Sequence, residues 1–134
     1  MGSVLIVDDE SAIRAVLARW LGAARYDIRE AVDAESALDE LAKTAADVVL
    51  CDVTMPGQGG LWLAEQLRER FPATAIILAT AVDSIPPTTS LKSGIVEYVV
   101  KPFARDVILA AVARGMEWRA AAVVREGDRS SKPA

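Results

Sequence analysis

Residues 4–11 read "VLIVDDES". Four aliphatic side chains in a row fit a strand covered on both faces, because a strand with one wet face alternates apolar and polar residues. The run then stops at two adjacent carboxylates, Asp8 and Asp9. A strand end or a helix cap calls for at most one of them, and their charges repel. The pair therefore predicts a positive partner, a metal ion, shared with groups supplied from elsewhere in the chain.

Four further runs have strand length: "YDIRE" (26–30), "DVVLC" (47–51), "TAIILA" (74–79) and "IVEYVV" (95–100). All but the first of these are nearly unbroken apolar stretches. "YDIRE" is shorter and more polar, which places it at a sheet edge. Helical spacing fills the gaps. Ile13, Val16, Leu17, Trp20 and Leu21 form one stripe, with Arg14 and Arg19 off that face. Ala37, Leu38, Leu41, Ala42 and Ala45 form a second. Leu61, Ala64, Leu67 and Phe71 form a third, stopped by Pro72. A short helix is expected over residues 88–93, closed by Gly94, and a last one from about residue 104 to the region of Val123. Strict alternation of strand and helix predicts a doubly wound α/β domain with a parallel sheet and right-handed crossovers.

At 134 residues the chain suits one domain. Its hydrophobic share of 52% is rich in alanine and carries only 5% aromatics, which suits helices packed on a sheet. A net charge of -4 argues against direct nucleic-acid binding. The lone Cys51 excludes an intramolecular disulfide, and no stretch resembles a signal peptide or a membrane span, so the cytoplasm is the expected compartment. With no histidine, His-activated nucleophiles, most zinc sites and an internal phosphohistidine are excluded.

In an open parallel sheet, ligands bind beyond the carboxyl ends of the strands. Asp8 and Asp9 follow the first strand, Asp52 the third, Thr80 the fourth and Lys101 the fifth. Three carboxylates, a hydroxyl and an ammonium are thereby predicted to share one pocket. A hard cation among the carboxylates, Mg²⁺ with oxygen ligands, would relieve their repulsion. Asp52 could then attack a phosphorus centre while Lys101 and Thr80 donate to the phosphoryl oxygens. Each residue alone also fits a cap, a strand end or a solvated surface; their recurrence at four strand ends does not. Cys51, one residue before Asp52, should face the opposite way as inert core.

"VLIVDDE", "VVLCDVTMPG", "ILATA" and "YVVKPF" resemble the receiver domain of two-component response regulators, in the right order over about residues 3–118. The resemblance implies a flavodoxin-like three-layer sandwich whose five-stranded parallel sheet has the order 2-1-3-4-5, an order for which a receiver is a standard example. It implies that Asp52 accepts a phosphoryl group from the phosphohistidine of a sensor histidine kinase or phosphotransfer protein. Mg²⁺, with Mn²⁺ as a substitute, would be held by Asp9 directly, by Asp8 partly through water, by Asp52 and by the backbone carbonyl of Thr54. Thr80 and Tyr98 would form the switch pair, and the bond preceding Pro102 would be cis. Such a domain is a signalling phosphoacceptor that assists its own phosphorylation and dephosphorylation, rather than an enzyme acting on a separate substrate.

Some positions depart from the family pattern. Gln58 and Gly59 stand where Met and Asp are common, and Pro86 and Pro87 fall where a fourth helix normally starts. Trp62 and Val107 occupy usually polar positions. A haloacid-dehalogenase-type enzyme would need D-x-D-x-T where the chain has "DDESA", and a flavodoxin would need a Ser/Thr/Gly-rich loop there. The remaining alternative is a pseudo-receiver, an interaction module that is never phosphorylated. Residues 1–120 are expected to form the receiver and 121–134 a helical extension, linker or tail. Leu109, Val112, Met116 and Val123 lie near heptad spacing, so the last helix is expected to overrun the core toward self-association or an effector domain. Gly115 and Arg119 stand against that helix, the first by propensity and the second by polarity.

Overall fold

The computed structural model describes residues 2–81 and 95–131, with side chains through residue 124. In chain order the elements are β1 (Ser3–Val7), α1 (Ser11–Ala23), β2 (Asp27–Ala31), α2 (Ala34–Lys43), β3 (Val48–Asp52), α3 (Gly60–Arg70), β4 (Ala75–Ala81), β5 (Ile95–Lys101) and α4 (Arg105–Ser131). The sheet has the order β2-β1-β3-β4-β5 and every pairing is parallel. The polar strand, β2, lies at an edge. The helix expected over residues 88–93, with Pro86, Pro87 and Gly94, lies outside the described residues. Among those described, no helix is long and apolar enough to cross a membrane.

Side-chain alternation divides the strands between two apolar layers. Leu5, Val7, Val49, Cys51, Ile76 and Leu78 meet α2 and α3, while Val4, Ile6, Val48, Leu50, Ala75 and Ile77 meet α1 and α4. Both faces being covered is what the unbroken Val/Ile/Leu runs require. Cys51 is fully buried in the first layer. Burial, then the charges of Asp52 and Asp8, push its thiol pKa far up, so it serves as packing.

The helical stripes differ in detail from the periodicity. In α2 the buried residues are Ala34, Ala37, Leu38 and Leu41, while Ala42 and Ala45 are exposed. Thr44 leaves helical geometry (φ -150°, ψ 124°), so the stripe cannot continue, and Ala46 enters the core from the loop instead. In α3, Leu63 is fully buried, while Leu61, Trp62 and Phe71 pack on the core only in part. Trp62 is thus a packing residue, whereas Val107 is 44% exposed.

Gly115 has a packing reason. A Cβ there would lie 3.0 Å from Cγ2 of Val48, so the missing side chain lets α4 approach β3. Arg119 also has a partner, its Nε lying 3.2 Å from Oδ1 of Asp47 just before β3. Trp118 packs at the margin of the α1/α4 core of its own chain. α4 runs past Trp118 without a break, through Ser131 and so across residues 120–121.

Candidate functional site

Three strand ends converge at the carboxyl edge of the sheet. Asp8 is 2% exposed and Asp52 8%, burial that carboxylates tolerate only when paired. Lys101 supplies the partner: its Nζ lies 3.0 Å from Oδ2 of Asp52 and 3.3 Å from Oδ2 of Asp8. The other oxygens are also engaged, Oδ1 of Asp52 accepting from the Thr54 amide at 3.1 Å and Oδ1 of Asp8 from the Glu10 amide at 2.9 Å. Burial is the largest influence on Lys101 and opposes its charge. The hydrogen bond and charge of Asp52, then those of Asp8, together outweigh it and hold its pKa above the ordinary lysine value.

The loop after β3 owes its course to glycine. A Cβ at Gly60 would lie 2.7 Å from the carbonyl oxygen of Asp52, and one at Gly59 would lie 2.4 Å from that of Val53. Gly57 takes a left-handed φ of 79°. The glycine at 59, where the family usually carries Asp, therefore belongs to the close packing of α3 against the end of β3. Thr80 is buried, its hydroxyl donating to the Ala81 carbonyl at 3.3 Å. Tyr98 pairs with Leu78 in the sheet register and packs in part on the α2/α3 layer. The Lys101–Pro102 bond is cis.

Carboxylate oxygens of Asp8, Glu10 and Asp52 lie within 4.8 Å of one another. That spread is close to the roughly 4.2 Å between opposite oxygens around octahedral Mg²⁺. Three oxygen donors facing one ammonium leave net negative charge, so the donor set fits a hard divalent cation. Asp9, expected as a direct ligand, and Glu10 are both exposed, and of the two only the Glu10 carboxylate is in this group. Glu10 was not singled out from the sequence; three consecutive acids after a strand were its signal. Arg14, read as off the apolar face, folds back instead, its Nη1 donating to the Asp8 carbonyl at 2.6 Å.

The family model described as response regulator receiver domain matches residues 4–113. The chain is 36% identical to the DNA-binding transcriptional regulator NtrC of Escherichia coli (strain K12) over 116 residues, which is 86% of this chain and 25% of that protein. It is 38% identical to the response regulator MprA of Mycolicibacterium vanbaalenii over 108 residues, 80% of this chain and 47% of that one. The chain thus spans half or less of these relatives. Among solved structures, the receiver domain of NtrX from Brucella abortus superposes with a TM-score of 0.79 at 28% identity, covering 85% of this chain and 98% of that one. A longer NtrX structure from the same organism gives 0.83 at 27% identity over 95% of this chain and 29% of that one.

Proposed function

Because the chain belongs to the response regulator receiver domain family, we propose that Asp52 is its phosphoacceptor, charged by the phosphohistidine of a sensor histidine kinase or phosphotransfer protein. The observation that carries this reading is the buried Asp52 carboxylate, set 3.0 Å from Lys101 and beside the carboxylates of Asp8 and Glu10. Asp8, Asp9, Asp52 and the Thr54 carbonyl would hold Mg²⁺ or Mn²⁺, with Glu10 competing with Asp9 because its carboxylate already stands in the group. When bound, the ion supplies positive charge that offsets both the carboxylates and the phosphoryl oxygens.

An oxygen of Asp52 attacks phosphorus, the P–N bond breaks, and the donor imidazole leaves with the electron pair. Lys101 shifts its hydrogen bond to a phosphoryl oxygen, and the Thr80 hydroxyl turns from Ala81 toward another. Attack by water at phosphorus later restores the carboxylate. Tyr98 follows the movement of Thr80, so that phosphorylation shifts a population between two surfaces.

Beside Lys101 lies an apolar groove lined by Ile13, Val16, Trp20, Pro102 and Phe103. Lys101 lines this groove and also bonds Asp52, so the groove suits the phosphodonor protein, whose histidine must reach Asp52. Output is assigned to the receiver's last helix: beyond about residue 120, α4 serves as an extension leading to a second copy or an effector domain. Action in the cytoplasm, without nucleic acid or membrane as a direct partner, completes the reading.

Incubation with acetyl phosphate and Mg²⁺ should add one phosphate to the intact protein and none to Asp52→Asn. A variant that still gains the mass would refute Asp52 as acceptor. A wild-type protein that gains none from acetyl phosphate or a phosphorylated histidine donor would favour the pseudo-receiver.

A further inference from the structure

Arg14 sits one turn into α1, yet its side chain is only 16% exposed. Nη1 donates to the Asp8 carbonyl at 2.6 Å, and Nε lies 3.1 Å from Oε1 of Glu30 near the end of β2. Its own amide bonds back to the Glu10 carbonyl at 3.1 Å. The turn from Asp8 to Arg14 is thereby closed twice by one residue, once through the backbone and once through the guanidinium. No side chain caps α1, and its first turn holds no acidic residue, so helix capping does not fix this turn.

That turn carries three consecutive acids, of which Asp8 and Glu10 must face Asp52 against mutual repulsion. Left to itself, such a loop swings its carboxylates apart into water. We propose that Arg14 is a positioning residue for the metal site: it clamps the β1–α1 turn through the Asp8 carbonyl, and Glu30 aims the clamp. The inference rests on the phosphoacceptor reading for its consequence, because the groups held in place are the proposed metal ligands. A guanidinium suits the task since its planar fork serves two acceptors at once, which an ammonium on a flexible stem does less well. Partners that orient ligands in this way typically change metal affinity about 10–100-fold when removed.

The full chain is compared with Arg14→Gln, Arg14→Lys and Glu30→Ala in two measurements. In metal-free buffer, exchange of the Glu10 amide, which bonds to Asp8 Oδ1 at 2.9 Å, should speed up about tenfold or more in Arg14→Gln, with α3 amides unchanged. Titration with Mg²⁺, or Mn²⁺ by electron paramagnetic resonance, should show affinity falling about 10–100-fold. Arg14→Lys should recover part of both losses, and Glu30→Ala should cause a smaller one. Unchanged Glu10 exchange in Arg14→Gln overturns the clamp. So does faster exchange spread over the whole domain, since that marks general destabilisation. A wild-type protein that binds neither ion refutes the metal reading by itself, while the metal-free exchange still decides the role of Arg14.

Discussion

Lys101, at the end of β5, holds its ammonium 3.0 Å from the Asp52 carboxylate at the end of β3. The same nitrogen lies 3.3 Å from Asp8, so one lysine offsets two buried acids from two other strands. Replacing it with methionine should leave those acids facing each other. Removing one partner of a fully buried pair costs ~3–5 kcal/mol. Lys101 keeps 22% of its side chain in water, so we expect about 1–3 kcal/mol, read from urea melts in EDTA. Saturating Mg²⁺ should stabilise Lys101→Met more than it stabilises the wild type. Equal stability of the two proteins in EDTA would show that the ammonium is not their counter-ion.

Asp33 starts α2 with a reciprocal cap, its Oδ1 accepting from the Ser36 amide at 2.8 Å and from the Ser36 hydroxyl at 2.7 Å. The amide first, then the hydroxyl, hold its pKa below the ordinary value. The unfolded chain therefore takes up a proton on Asp33 before the folded one does. Its contribution is present above the unfolded pKa of about 3.9 and fades as pH falls through the lower folded value. Asp33→Ala should cost roughly 0.5–2 kcal/mol at pH 7. That gap should narrow below about pH 4 in denaturant melts, and a gap that stays constant to pH 2 would exclude the charged cap.

Gly115 should resist large substitutions although it lies inside a helix. Alanine would gain ~0.8–1 kcal/mol of helix propensity, but its Cβ would press on Val48 at 3.0 Å. The two effects nearly cancel, so we expect Gly115→Ala within about 1 kcal/mol of wild type. Leucine cannot fit without lifting α4 from β3 and should cost about 1–3 kcal/mol. If calorimetry finds Gly115→Leu as stable as wild type, the close seating of α4 is wrong.

Deleting residues 117–134 would remove Trp118, Arg119 and the buried Ala122, and so damage the domain along with its extension. Deleting residues 125–134 separates the two effects. Melting should then change by less than about 0.5 kcal/mol. Val123 and Val124 are 45% and 63% exposed, and we expect them to contact a second copy. Light scattering at high concentration with beryllofluoride should therefore give a dimer for the full chain. Val123→Glu combined with Val124→Glu should reduce it toward monomer. A full chain that stays monomeric with and without beryllofluoride would leave the extension as linker.

Much of the fold is written locally. Unbroken Val, Ile and Leu runs such as "VLIV" demand cover on both faces, and that demand alone implies a parallel sheet between helices. The polarity of "YDIRE" marked an edge strand for the same reason. Asp8, Asp52 and Lys101 could be brought together on paper because strand carboxyl ends share one side of such a sheet. The order of the strands came from the family resemblance, since apolar runs of similar composition do not say which neighbours they pair with.

Other features depend on distances between segments far apart in the chain. Asp9 and Glu10 are adjacent acids, and which of them stands beside Asp52 depends on the backbone course of one turn, which Arg14 of α1 contacts while paired with Glu30 of β2. Arg119 looked misplaced on a helix until Asp47, 72 residues earlier, came within 3.2 Å. Gly115 looked like a weakness until Val48 occupied the space of its missing side chain. Hydrophobic pattern and turn chemistry are local and can be read along a chain. Ion pairing and close packing act through space, so they became visible only once the strands and helices were in place.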